Sequence, residues 1–263
     1  MRILVTNDDG VSAPGLEVAE GVARKVAEAR GGDKAEVWTV APAFEQSGVS
    51  HAISFNRPLQ VQKVGERRFA VQGTPADCVL VALYGMMKDS PPDLVISGVN
   101  RGHNIGEDAV YSGTVGGAIE GAFHGYKSIA LSQYFRIGAN QKLLPPEQMF
   151  DAAAVHGPEA VLQLLDLEWE KDLFFNVNFP PVAAADAKPM RFAPQGRRAN
   201  GGFFAEERES PRGARYYWLT YNHDNLSMAA EEDGHLCAKG WITAVPMKPH
   251  YTDVAMLKRL QDG

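Results

Sequence analysis

Two adjacent carboxylates, Asp8 and Asp9, directly follow a short apolar, β-branched run at residues 2–6 (RILVT). Side by side they repel, and a hard divalent cation is a simple way to relieve that repulsion. Taken alone, an Asp-Asp-Gly turn after a strand is ordinary, because Asp tolerates turn geometry and bonds local N–H groups. Other residues at equivalent places change the weight. Asn100 comes after a second apolar run (residues 93–97, DLVIS), much as the carboxylates follow the first. Ser47 lies in a polar loop (residues 41–51, APAFEQSGVSH) after a third run, AEVWTV. In an open α/β sheet, ligands bind just beyond the carboxyl ends of the strands. Asn100 then offers a carbonyl oxygen and Ser47 a hydroxyl beside the two carboxylates. Oxygen-only donors without a His or Cys cluster point to Mg²⁺ or Mn²⁺ and away from structural zinc.

A second group of donors is Ser112-Gly113-Thr114, directly after Tyr111 at a helix start. Free N–H groups and the positive end of the dipole bind anions there, and two hydroxyls would add donors to phosphate oxygens. An ordinary Ser/Thr cap is the simpler alternative. Gly116, Gly117 and Gly121 weaken this helix, and close packing on the sheet would explain them. Familiar motifs are missing. Residues 125–128 (GYKS) are not a P-loop, and there is no G-x-G-x-x-G, H-E-x-x-H or G-x-S-x-G. His51, His103 and His124 are scattered, as a loop contact, a substrate contact and a packed helix residue, and none is chosen as a catalytic base.

The elements that must position these groups alternate strand and helix. Leu16, Ala19, Ala23, Val26 and Ala27 recur at helical spacing over residues 16–29, with Pro14 near the start and Gly31-Gly32 at the end. With the strand at 35–40 this is a βαβ unit of a parallel sheet. Residues 53–71 read as extended and partly exposed. Thr74-Pro75-Ala76-Asp77 opens a helix running to about residue 88. The strand at 93–97 gives way to a loop over 98–112, then a helix at 113–125. A strand at 127–132, a helix at 145–165 and a strand at 173–179 follow. Beyond residue 180 two aromatic extended segments, around Phe203-Phe204 and Tyr216-Tyr217-Trp218, flank Pro211-Arg212-Gly213 as a β-hairpin arm. Such an arm either contacts another subunit or folds onto its own domain. A strand at 241–245 and a short helix end the chain.

With 263 residues, 45% hydrophobic and 22% charged, the chain has room for one large domain with an appendage. The division expected is a catalytic core at 1–180 and an oligomerisation region at 181–263. A net charge of −6 without a Lys/Arg block disfavours a nucleic-acid duplex as partner, though not a nucleotide-sized ligand. No apolar run approaches the ~20 residues of a membrane span, and no basic start with an apolar core opens the chain. Cys78 and Cys237 suggest no disulfide framework. A cytoplasmic protein without a membrane partner is expected.

Taken together, ILVTNDDG, PAFEQSG, ISGVNRGHNIGEDAVYSGTVGGAIEG, NVNFP and QGRR resemble the SurE family of stationary-phase survival proteins, metal-dependent 5′/3′-nucleotidases. NDDG alone is common, but NDDG with SGVN and YSGT in this order and spacing is highly specific. The resemblance implies an α/β fold with a Rossmann-like, three-layer core, a mainly parallel sheet and a C-terminal hairpin arm. It implies one divalent metal ion per subunit, bound by Asp8, Asp9, Ser47 and Asn100. Asn104, Ser112, Gly113 and Thr114 fall on the family's phosphate-binding loop. The substrates implied are nucleoside 5′- and 3′-monophosphates, and the assemblies are homodimers or homotetramers joined by C-terminal arms. Asp8 would take a proton from the attacking water or, in a rival route, attack phosphorus itself. A different class, a non-catalytic nucleotide or metal sensor, would bind nucleotide without releasing phosphate. Residues 223–239 depart from the family's compact acidic turn.

Overall fold

In the computed structural model, which describes residues 1–137, 142–198, 202–221 and 229–262, the first apolar run becomes β1 (Arg2–Thr6). Its side chains divide as the strand's period of two requires. Ile3 and Val5 pack into one layer and Leu4 into the opposite one. α1 (Pro14–Gly31) buries the apolar stripe read from its spacing, with Val22 added. β2 (Glu36–Pro42) pairs parallel with β1 and completes the βαβ unit.

The extended stretch at 53–71 is narrower than its pattern suggests. Only β3 (Val61–Gly65) and β4 (Arg68–Val71) are strands, an antiparallel pair whose β4 runs parallel to β2. α2 (Pro75–Val81) opens on a reciprocal capping box. The Asp77 N–H donates to Thr74 Oγ1 at 3.1 Å and the Thr74 N–H to Asp77 Oδ2 at 2.8 Å. One π turn, Ala82–Met86, continues it.

The chain then crosses back and lays β5 (Leu94–Arg101) on the other side of β1. This strand does not stop at Ser97. After a register irregularity it pairs Asn100 with Ser132 and Arg101 with Gln133, so Asn100 sits at the end of a strand rather than in a loop. α3 (Asp108–Tyr111) is a single turn inside the expected loop, and α4 (Gly113–Phe123) follows at once. The small residues of α4 allow close approach. A Cβ at Gly117 would stand 2.8 Å from Ser97 Oγ, and one at Gly116 would stand 2.5 Å from the Ser50 carbonyl oxygen. β6 (Lys127–Gln133), a minor pair β7 (Arg136–Ile137) and β8 (Lys142–Leu143), α5 (Asp151–Leu165) and β9 (Phe174–Phe179) complete the wound core.

β10 (Lys188–Phe192) and the later strand at the chain's end join that same sheet. Between them lie the hairpin, β11 (Phe203–Glu209) with β12 (Arg215–Tyr221), and a helix that the sequence pattern did not reveal, α6 (Asp233–Ala238). β13 (Trp241–Met247) pairs antiparallel with β9, and α7 (Val254–Asp262) ends the chain. The sheet order is β10-β13-β9-β6-β5-β1-β2-β4-β3. Helices α1 and α5 cover one face and α2 with α4 the other, giving three layers. The hairpin forms a sheet of its own, with Phe203 opposite Tyr221 and Glu209 opposite Arg215. Residues 223–228 of the segment that departs from the family pattern lie outside the described residues. No helix among the described residues is long and apolar enough to cross a membrane.

Candidate active site

The winding direction reverses between β1 and β5, which makes the gap beyond their carboxyl ends the switch point of the sheet. Asp8 lies there, only 3% exposed. Two donors from the first turn of α4 hold its carboxylate: the Thr114 N–H at 3.0 Å and the Thr114 hydroxyl at 2.5 Å. Its own carbonyl accepts the Gln46 N–H at 2.7 Å, tying it to the Ser47 loop. Burial, reinforced by the charge of Asp9 and opposed by the Thr114 bonds, pushes the Asp8 carboxyl up to about 7.

Asp9 is half-buried and accepts the Arg101 N–H at 2.9 Å. Its carboxyl is also raised, mainly by burial, while the Arg101 hydrogen bond and charge pull the other way. The Asn100 amide is fixed by donation from Nδ2 to the Gly102 carbonyl at 3.0 Å, which leaves Oδ1 as its acceptor oxygen. Ser47 is exposed and donates to Glu45 Oε1 at 2.9 Å. Asp8, Ser47, Asn100, Asn104 and Ser112 line one cavity of about 410 Å³, within the range of small-ligand sites. Asp9 instead lines an adjoining cavity of about 570 Å³.

The helix start is more committed than its sequence suggests. Both Thr114 donors go to Asp8, and Ser112 Oγ accepts the Val115 N–H at 3.0 Å as an N-cap. The Ser112 hydroxyl proton and the Gly113 N–H have no partner among the described residues. Gly113 packs so near Asp8 that a Cβ would stand 2.9 Å from Asp8 Cβ. Asn104 is buried in a polar cluster. Its N–H donates to Asn178 Oδ1 at 2.8 Å, its carbonyl accepts Asn176 Nδ2 at 2.7 Å, and its Nδ2 donates to Ser132 Oγ at 2.8 Å.

Several supporting residues escaped the motif reading. Arg198, 2% exposed, makes a two-point bond to Asp108 at 2.5 and 2.7 Å. His103 Nδ1 stands 3.2 Å from the same carboxylate. Burial would raise the Asp108 carboxyl, but His103 and Arg198 outweigh it and hold it at about 2. Asp233 is fully buried and accepts the N–H groups of Gly106 and Gly196, at 3.0 and 2.9 Å, joining the Asn104 loop to the QGRR segment. Glu120 of α4 accepts from His51 Nε2 at 2.5 Å and from His124 Nε2 at 2.8 Å, pinning the Ser47 loop to that helix. The one sequence signal for this layer was Asn176 and Asn178 inside an otherwise apolar buried strand, since buried polar groups need partners.

The donor set fits a hard cation. Among the described residues no three His, Cys, Asp or Glu side chains converge on a metal position, so two carboxylates would be joined by neutral oxygens. Neither Asp8 nor Asp9 has an ion pair among the described residues. Two adjacent carboxylates with raised pKa and no ion pair among the described residues form a place for added positive charge.

An open, mainly parallel α/β sheet with carboxylates and a helix N-terminus at its switch point defines a ligand-binding α/β protein. Residues 3–201 match the family described as survival protein SurE, and the chain belongs to that family. It is 46% identical to a 5′-nucleotidase SurE of Jannaschia sp. (strain CCS1), over 100% of this chain and 99% of that one. It is 51% identical to a 5′-nucleotidase SurE of Ruegeria sp. (strain TM1040), over 96% and 95% respectively. The crystal structure of a SurE protein from Aquifex aeolicus superposes with a TM-score of 0.81 at 30% identity, covering 100% of this chain and 99% of that one.

Proposed function

We propose that this chain, a 5′-nucleotidase of the SurE family, hydrolyses nucleoside 5′- and 3′-monophosphates with one divalent cation per subunit, Mg²⁺ or Mn²⁺, held by Asp8, Asp9, Ser47 and Asn100. The observation that carries this reading is the unpaired carboxylate couple at the switch point, beside a cavity of nucleotide size. When bound, such a cation polarises a phosphoryl oxygen and makes its water more acidic. Asp8, held in one orientation by Thr114, accepts the proton of the attacking water. The water oxygen forms a bond to phosphorus as the bond from phosphorus to the nucleoside oxygen breaks, and that oxygen takes its proton from solvent water while the proton on Asp8 returns to solvent. The Ser112 hydroxyl and the Gly113 N–H meet charge on the transferring phosphoryl group. Thr114 contributes by orienting Asp8, and Asn104 by shaping the loop wall.

Tyr111 and Phe203, with ring centroids 5.3 Å apart, bring aromatic surface to the cavity where a base can stack. Phe203 belongs to the hairpin, so the arm reaches the site. Assembly into a homodimer or homotetramer through that arm is supported by the exposed Tyr217, Trp218 and Leu219 on β12. A cytoplasmic location accords with two free, buried cysteines, Cys78 and Cys237.

The test is phosphate release from a panel of nucleoside 5′- and 3′-monophosphates, with protein stripped of metal and then resupplied with Mg²⁺ or Mn²⁺. Release that returns with metal is expected. Nucleotide binding without release under any metal would instead identify a sensor.

A further inference from the structure

Arg101 is the last residue of β5 and stands at the boundary of two cavities. It lines the 410 Å³ cavity that holds Asp8 and the adjoining 570 Å³ cavity that holds Asp9. Its backbone is doubly constrained, by sheet pairing to Gln133 and by the 2.9 Å bond from its N–H to Asp9 Oδ2. The side chain is a different matter. It is exposed, and among the described residues its guanidinium makes no ion pair and no hydrogen bond. Most other arginines near carboxylates are engaged: Arg2 with Glu36, Arg68 with Glu20, Arg198 with Asp108. Arg101 is also the only Lys or Arg lining either cavity among the described residues.

We infer that Arg101 is a substrate-binding residue that takes a phosphoryl oxygen of the phosphomonoester dianion. This deepens the nucleotidase reading above and rests on it. A guanidinium offers five donors in a planar fork that matches two phosphate oxygens at once. It is anchored at its backbone but unclaimed at its head, so binding phosphate breaks no existing pair. The bond from its N–H to Asp9 sets it beside the carboxylate couple without closing an ion pair across it. The Ser112 hydroxyl and Gly113 N–H approach phosphate from the helix side, and Arg101 approaches from the end of β5.

The test compares Arg101→Met, Arg101→Lys and Arg101→Ala with the unaltered protein, using AMP as substrate and inorganic phosphate and adenosine as inhibitors. The Met variant is expected to lose about 10- to 100-fold in kcat/KM and to bind inorganic phosphate about 10-fold more weakly. Adenosine inhibition should stay unchanged, because adenosine carries no phosphate. Lysine should recover part of the loss as a point charge, and added guanidinium ion should partly restore the Ala variant. Mn²⁺ affinity, measured calorimetrically without substrate, should not move. Phosphate affinity within twofold of the unaltered protein would overturn the inference, as would a matching fall in Mn²⁺ affinity. Absence of hydrolysis by the unaltered protein would defeat the nucleotidase reading itself. Calorimetric phosphate binding would still decide the role of Arg101.

Discussion

At the edge of the sheet, Asp8, Asn104 and Asp108 are each held by two or more bonds, several from residues far away in the chain. The β11–β12 hairpin pairs only with itself in the sheet and turns Tyr217, Trp218 and Leu219 to the outside, 59%, 61% and 75% exposed. Both regions carry groups in the wrong solvent, carboxylates away from water in one and apolar rings in it in the other. At the sheet edge the fold supplies the compensation internally, because a buried polar group without a partner costs about 1–3 kcal/mol. On the arm nothing within the described chain does so, and a two-stranded hairpin alone is marginal in water. The contrast teaches that the polar groups around Asp8 find their partners within one chain, whereas the apolar side chains of the arm are left uncovered by the described residues of that chain.

The sharpest break comes from Asp8→Asn. It should cut phosphate release by about 10³-fold or more if Asp8 takes the proton of the attacking water as proposed. The Asn side chain can still meet Thr114, so the melting temperature should change by only a few degrees. Near-normal turnover would remove Asp8 from the chemistry.

Arg198→Met comes next and addresses the internal compensation directly. It strands the Asp108 carboxylate in the interior and should destabilise the fold by about 3–5 kcal/mol in a denaturant titration. A loss under 1 kcal/mol would mean that His103 alone compensates Asp108.

The pH dependence follows from the same carboxylate. With its folded value near 2, below the ordinary 3.8, Asp108 stabilises the fold above about pH 4, and that contribution is lost as pH falls through 2. The amount is roughly 2 kcal/mol at 1.36 kcal/mol per pKa unit. Stability measured from pH 5 to pH 2 should fall more steeply in the unaltered protein than in Asp108→Asn. Parallel curves would contradict the assignment.

On the arm, Trp218→Ser combined with Leu219→Ser should change the stability of the isolated chain by only about 0.5 kcal/mol per site. The same change should lower the sedimenting mass of any assembly the arm holds. A loss comparable to Arg198→Met, with mass unchanged, would fold the arm's apolar face into its own chain. The smallest effect expected is for Glu120→Gln, which loosens the His51 clamp on the Ser47 loop. The Mn²⁺ concentration for half-maximal binding should rise by about two- to fivefold, as for the loss of one modest hydrogen bond. No change would mean that Ser50, whose hydroxyl donates to the Val110 carbonyl at 2.7 Å, holds the loop by itself.

What the sequence determined by itself was whatever is written within a few residues. The apolar run of β1, the helical stripe of α1, the Thr74–Asp77 capping box, the Ser112 cap and the hairpin all rest on local periodicity or local hydrogen bonding, so residue types suffice to read them. The candidate site was legible for the same reason, since Asp8, Ser47 and Asn100 each close a strand or follow one, and a wound parallel sheet gathers such places. Tertiary structure alone decided which distant partner each polar group meets. Nothing near Thr114 in the chain says that its hydroxyl belongs to Asp8, 106 residues earlier. Nothing near Asp108 points to Arg198, 90 residues later, or near Asp233 to Gly106. The run of β5 past Ser97 depends likewise on β6 lying beside it. Backbone preference acts over one or two turns of chain, but the pairing of buried polar groups is set by the order of strands in the sheet. That order is a global minimum over many weak contacts, which no short segment encodes.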